Sequence, residues 1–405
     1  MDVDNPGPLA GIRVLDLTAV VMGPLATQIL GDLGADVISV ENRQGDINRT
    51  MSAGPVRGLS GVALNLLRNK RNIAIDLGHP DGRAALLRVA AGCDVFVTNL
   101  RPGSLARLGL AYSDIAEVRP DVVFCQACGY PSDGPDADEP AFDDIIQAVS
   151  GVPDVLGRAG LTPGLIPTLL ADKVSGLVLA YSIIAALFHR ERTGQGQRVE
   201  VPMTDAMRSF MLVEHGGAAI CEPPRGPAGY NRILTPLRGA LQSADGWIAV
   251  QPHQQAHWTA LLEAAGLHDL VGDPRLTSRG VWLNPGFAYA TLGRVLAVKT
   301  TAEWLAFCSR HRIPAGQAAG LDDLIADLPQ ASHPEAGTYR LIPPPARFSA
   351  TPASVRRPAP LPGQHTREVL AESGLTDAEI TALEQAGLLR APDRPPRVPS
   401  AEPQT

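Results

Sequence analysis

Over roughly the first third of the chain, short runs of β-forming apolar residues alternate with helical patterns, and no other feature narrows the fold as much. The runs 12–17 (IRVLDL), 36–41 (DVISVE), 72–76 (NIAID), 94–98 (DVFVT) and 121–125 read as strands. Between them, 24–33, 80–90, 104–107 and 112–118 carry helical spacing. Such βα alternation implies a parallel sheet covered by helices on both faces, with ligands bound on loops beyond the carboxyl ends of the strands.

A longer helix is expected over 172–192, ended by Thr193-Gly194, then a strand at 197–201 and a helix from Met203. Within that long helix the apolar stretch 177–188 (LVLAYSIIAALF) is short of the roughly 20 residues a membrane span needs. It reads as a buried core helix. The Pro- and Gly-dense segment 221–231 (CEPPRGPAGYN) marks a domain boundary. Past it come a strand at 247–250 and helices at 254–265, 287–298 and 301–311. Segment 326–337 leads back into 339–342, an extended Pro-rich stretch covers 343–362, and short helices follow at 366–373 and 376–386.

Several function classes fall away. A formal net charge of -7 argues against nucleic acid, which demands clustered Lys and Arg. The N-terminal residues MDVDNPGPLAG have no basic or apolar region of a secretory signal, and no membrane partner is expected. Five scattered cysteines suit reduced thiols in the cytoplasm, and the single CxxC at Cys125 and Cys128 lacks the second pair a zinc site needs. The first strand-to-helix turn, LDLTAVVMGPLATQ, has one glycine, Gly23, where a dinucleotide fold needs G-x-G-x-x-G; Glu41 only imitates the ribose-binding acid. His253 and His257 share i,i+4 spacing but no third ligand is near in sequence, so no metal is expected. Arg43, Lys70, Arg71, Arg101 and Arg107 follow predicted strands, either as solvated charges or as arms for one anion. Asp172 opens the longest apolar helix, a position that an N-cap aspartate also occupies.

The blocks PLAGIRVLDLTAVVMGPLATQILGDLGADVISVE, NKRNIAIDL, DVFVTNLRPGSLARLGL, FDDIIQAVSG, DKVSGLVLAYSIIAALFHRERTGQGQRVEVPMTDA and HPEAGTYRLIPPPARFSATPASVRRPAPLPGQHTREVL carry a resemblance. In order and spacing they resemble the class III CoA-transferases (CaiB/BaiF type), which include formyl-CoA transferase, carnitine CoA-transferase and the α-methylacyl-CoA racemases. The resemblance covers nearly the whole chain except the tail. It implies an α/β fold with a large Rossmann-like parallel-sheet domain plus a smaller α+β domain, in an interlocked homodimer. Residues 1–220 together with 331–390 then form the large CoA-binding domain, 221–330 the small domain, and 391–405 a disordered tail.

The resemblance also implies roles. Asp172 matches the catalytic carboxylate. Val20, Val21, Lys70, Asn99, Leu100, Arg101, Arg107 and Leu108 match CoA-binding positions, and Arg43 stands beside Asn42, where relatives often have a basic residue. Met22, Phe142 and Asp143 are expected to line the acyl pocket. The implied partners are an acyl-CoA and a carboxylic acid, both as substrates, with no permanently bound cofactor. The expected chemistry is attack of Asp172 on the thioester, then a mixed anhydride, then an aspartyl-CoA thioester. Free N–H groups at the start of its helix are expected to face the oxyanion. Alternatives are a racemase or epimerase of α-methylacyl-CoA and a non-catalytic CoA-thioester-binding protein. Racemisation needs an acid and a base, and where racemases carry His this chain has Phe142. Segment 235–245 does not match the glycine-rich loop of formyl-CoA transferase, which points away from oxalate.

Overall fold

A computed structural model describes residues 7–390, so the tail expected at 391–405 lies outside the described residues. The chain forms two compact units, one of Met1–Ile146, Thr168–Met207 and Leu328–Thr405, the other of Gln147–Pro167 and Arg208–Asp327. Segments 147–167 and 208–220, grouped with the large domain by sequence, thus lie in the second unit. Bonding within that unit accounts for the first: the Gln147 amide pairs with the backbone of Ile166 in both directions, and Arg158 donates to the Ala228 carbonyl at 2.9 Å.

The first unit is built on β1 (Arg13–Leu17), β2 (Asp36–Glu41), β3 (Lys70–Ala74), β4 (Val95–Thr98), β5 (Val123–Cys128) and β6 (Gln197–Pro202). They form one sheet in the order β3-β2-β1-β4-β5-β6, every neighbouring pair parallel. The order reverses between β1 and β4, and there the loops diverge to leave a crevice at the carboxyl edge. β1 to β5 are almost wholly buried, as a sheet covered on both faces must be. Leu15, Ile38, Ile73, Phe96 and Phe124 belong to one apolar core, and the last two rings stack at 5.2 Å.

The helices that follow are α1 (Met22–Asp32), α2 (Gly61–Leu66), α3 (Pro80–Ala91), α4 (Pro102–Leu108), α5 (Tyr112–Val118), α6 (Asp143–Val149), α7 (Val152–Arg158), α8 (Leu170–Thr193) and α9 (Met203–His215). β3 starts at Lys70, two residues before the expected strand, because its charged first residues are neutralised in place. Lys70 meets Asp16, and Arg71 meets Asp36, Glu368 and Glu372. Buried charges persist only when paired and hydrogen-bonded.

α8 runs 24 residues and stops at Gly194 in the left-handed region (φ 72°). Its expected burial holds on one side only. Ser175, Gly176, Leu179, Ile183 and Leu187 are buried, whereas Leu177, Tyr181 and Phe188 are 56%, 62% and 63% exposed. By length and composition α8 is apolar enough to cross a membrane, and half of its most apolar window is buried in the fold.

The second unit packs α10 (Gln255–Ala264), α11 (Ser278–Leu283), α12 (Pro285–Leu296) and α13 (Thr301–Arg310) with an antiparallel sheet of β7 (Leu241–Gln242), β8 (Trp247–Val250) and β9 (Ala315–Gln317). Trp258, Leu292 and Trp304 lie in its core. α14 (Leu321–Ala326) closes this unit, and the chain re-enters the first through the hairpin β10 (Gln330–His333) and β11 (Gly337–Arg340). α15 (Thr366–Glu372) and α16 (Asp377–Gln385) then contribute Val369, Leu370 and Ile380 to the main core. This return segment also covers the outer edge of β3. Asn72 exchanges bonds with His365, Ala74 accepts from Arg390 and donates to Thr366, and Asp76 donates to Leu388.

Candidate active site

Four strand ends shape a cavity of about 500 Å³ in the first unit. Its wall is made by Thr18 and Ala19 after β1, residues 41–46 after β2, 75–78 after β3, and Asn99 and Leu100 after β4. The loops are tied to each other. Asn99 donates to the Ala19 carbonyl at 2.9 Å and accepts the Ala19 N–H at 3.1 Å. Asp46 accepts the N–H of Val20 at 3.3 Å and that of Asn48 at 2.9 Å.

Of the expected CoA contacts, Arg43, Asn99, Leu100 and Leu108 line this cavity. Arg43 is its one basic lining residue among the described residues, so it carries the positive charge available there to a phosphate. Val20 and Val21 belong to the adjoining turn, Val20 in the left-handed region (φ 72°) and Val21 at the N-cap of α1. Arg101 and Arg107 are exposed; the first donates to the Asp138 carbonyl at 3.1 Å and the second to Ser104 at 3.0 Å. Lys70 stands apart. It is fully buried, and its ammonium is engaged by Asp16, Thr27 and the Pro24 carbonyl.

Of the acids of the cavity, Asp46 escaped the reading by residue type, and Glu41 entered it only as an imitation of a ribose-binding acid. Glu41 is held by Arg49 at 2.6 Å, and burial pushes the Asp46 carboxyl up to about 6 against the backbone N–H groups that it accepts. The loop 75–78 was also missed. Position, not composition, would have found them, since they lie at or just past the ends of β2 and β3.

Asp172 sits in the first turn of α8, 8% exposed. Burial first, and the charge of Asp143 second, raise its carboxyl to about 6. Asp143, at the start of α6 and 4% exposed, accepts the Asp172 backbone N–H at 3.0 Å. Two of the N–H groups at the start of this helix that were expected to be free are taken: Asp143 accepts that of Asp172, and the Leu169 carbonyl accepts that of Lys173. Met22 is buried in the first turn of α1, where α8 crosses it. A side chain at Gly176 would lie 2.7 Å from the Met22 carbonyl oxygen, so only glycine permits this approach. Phe142 is 66% exposed and forms no buried wall within the chain. Among the described residues no group of three or more His, Cys, Asp or Glu is arranged to hold a metal ion; the His253 and His257 rings lie 4.6 Å apart in the second unit.

An ionisable carboxylate kept dry on the long helix, together with a cavity at the reversal of strand order that lacks a dinucleotide turn, suits a group-transfer enzyme acting on thioesters. Residues 9–366 match the family model described as CoA-transferase family III, and the chain belongs to that family of transferases, whose substrates are CoA thioesters.

Relatives of known name agree. The succinyl-CoA:glutarate CoA-transferase of Mus musculus is 32% identical over 384 residues, covering 92% of this chain and 87% of its own. A probable fatty acyl-CoA transferase of Mycobacterium tuberculosis is 32% identical over 394 residues, covering 92% of this chain and 100% of its own. Its crystal structure superposes with a TM-score of 0.75 at 30% identity over 90% of this chain and 99% of that one. A CaiB/BaiF family protein from Brucella suis superposes with a TM-score of 0.77 at 27% identity, covering 91% and 100%.

Proposed function

We propose that this enzyme moves CoA from an acyl-CoA donor to a free carboxylic acid through covalent intermediates on Asp172. The observation that carries the reading is the environment of that side chain: buried, yet with a carboxyl at about 6 that is ionised at neutral pH. The carboxylate attacks the thioester carbonyl, forming a mixed anhydride and releasing CoA thiolate. The thiolate attacks the Asp172 carbonyl carbon of the anhydride, giving an aspartyl-CoA thioester and freeing the first acid. The incoming carboxylate attacks that thioester, and the thiolate it releases takes the new acyl group from the second anhydride. Every step exchanges one acyl bond for another, so the thioester energy is conserved as long as water is kept out.

In this reading CoA lies along the strand ends, held by Val20, Val21, Asn99, Leu100 and Leu108, with Arg43, Arg101 and Arg107 placed for its phosphates. Met22 and Asp143 border the reacting group, and Phe142 contributes from the surface. Lys70 has a different task, argued below. The chain acts as an interlocked homodimer, a reading supported by the apolar residues Leu177, Tyr181 and Phe188 that α8 leaves uncovered. Its five cysteines are free thiols, which suits a reducing cytoplasm.

Incubation with an acyl-CoA followed by intact-mass analysis tests the proposal. Asp172 should gain a CoA or acyl adduct that hydroxylamine removes, and Asp172→Ala should lose acid exchange by about a thousandfold or more. Unmodified protein that still exchanges acids would overturn it. Exchange of the α-proton of a 2-methylacyl-CoA without any acceptor would favour the racemase alternative.

A further inference from the structure

Lys70 has no exposed surface, and its ammonium donates to Asp16 at 3.1 Å, to the Thr27 hydroxyl at 2.7 Å and to the Pro24 carbonyl at 3.0 Å. An ammonium has three N–H donors, so none is left for a ligand. Asp16 is equally committed. One of its oxygens accepts the Thr18 N–H at 3.0 Å and the Thr18 hydroxyl at 2.5 Å; the other accepts the Thr27 hydroxyl at 2.6 Å as well as Lys70.

These bonds reach both sides of the turn between β1 and α1. Thr18 is its entrance, and Pro24 and Thr27 belong to the first turns of the helix beyond. Between them lie Ala19, which lines the cavity, and Val20, a β-branched residue in the left-handed region. Such a conformation is unfavourable for valine and persists only where its surroundings over-determine it. The same first turn of α1 receives α8 at Gly176, one helical turn beyond Asp172.

We infer that Lys70 and Asp16 are positioning residues for transfer: a charge pair sealed inside the sheet that holds the turn 18–21 in shape for the acyl-CoA, rather than a contact of the CoA phosphates. The inference rests on the reading that this cavity takes CoA.

A double-mutant cycle tests it in the full-length enzyme, using Lys70→Met, Asp16→Asn and the pair, with acyl-CoA and acceptor KM measured separately. Each single variant leaves a buried charge without its partner. Each should raise the acyl-CoA KM by about tenfold or more while the acceptor KM stays within about twofold. The double variant, with both charges gone, should recover part of the loss relative to Lys70→Met. Thr27→Val removes the hydroxyl that bonds both Asp16 and Lys70 while keeping both charges, and should raise the acyl-CoA KM by about threefold even if the single charge variants fold poorly.

A double variant as weak as Lys70→Met, or weaker, would overturn the inference. So would a Lys70→Met defect that disappears with a thioester lacking the CoA phosphates, since that marks a phosphate contact. A loss confined to Vmax in all variants, with acyl-CoA KM unchanged, would reduce the network to a fold-stabilising role and likewise overturn it. Wild-type exchange is measured alongside: if it is absent the transferase reading falls, whereas normal exchange with unperturbed variants removes only the positioning role.

Discussion

The carboxylate of Asp143 accepts the backbone N–H of Asp172 at 3.0 Å, so one buried acid both anchors the start of α8 and raises the carboxyl of the other. This coupling makes Asp143 a tuning element for the proposed nucleophile.

The first prediction concerns pH. In the proposed mechanism Asp172 attacks as its carboxylate, and burial raises that group to about 6, so kcat/KM for the acyl-CoA should climb through pH 6 and level off by about pH 7–8. Removing the nearby negative charge with Asp143→Asn should move the acidic limb to lower pH. A pH–rate profile of both enzymes checks this; coincident limbs would show that Asp143 does not act on Asp172.

The second follows from linkage. A carboxyl raised from 3.8 to about 6 binds its proton more tightly in the fold, so its contribution to stability is full below pH 3.8 and is lost as pH rises through about 6. Keeping Asp172 ionised at pH 7 then costs on the order of 3 kcal/mol. Asp172→Asn should therefore abolish exchange yet stabilise the protein by about 1–3 kcal/mol at pH 7, with little gain at pH 4. Denaturant titrations at the two pH values decide it.

A third prediction isolates the helix crossing. Gly176→Ala would bring a methyl group to 2.7 Å from the Met22 carbonyl oxygen, forcing α8 and α1 apart. Displacing a reacting group by about 1 Å can cost on the order of a hundredfold. Formation of the covalent intermediate in a single turnover should slow by tenfold or more, in a variant whose circular dichroism stays native.

The fourth addresses assembly. Leu177 and Tyr181 stand one helical turn apart on the open side of α8, more than half exposed. If the proposed dimer closes over this face, Leu177→Glu together with Tyr181→Glu should prevent it, since each charge would have to be buried without a partner. Sedimentation velocity checks this, and an unchanged dimer would place the interface elsewhere.

How far the sequence could be read depended on how local the determinant was. β1, β2 and β4 were legible because each is a short apolar run that needs only burial on both faces. β3 was misplaced by two residues, since nothing near Lys70 in the chain shows that Asp16, 54 positions earlier, would neutralise it. α6 and α7 went unread in a stretch broken by glycine and proline, with Gly151 and Pro153 at the entry to α7. Asp172 was picked out by resemblance, because an aspartate in the first turn of a helix also serves as a cap. Its pairing with Asp143 is a tertiary fact, made where two helix starts meet.

The cover that the C-terminal segment lays over β3 bears on biosynthesis. The Ala74 carbonyl accepts from Arg390, and the Asp76 N–H donates to the Leu388 carbonyl. While the ribosome still holds that stretch, the nascent sheet presents an open, self-complementary border to its neighbours. Sealing it waits for residues far downstream in the chain, so truncations that spare every residue of the cavity but remove this segment should still yield insoluble chains.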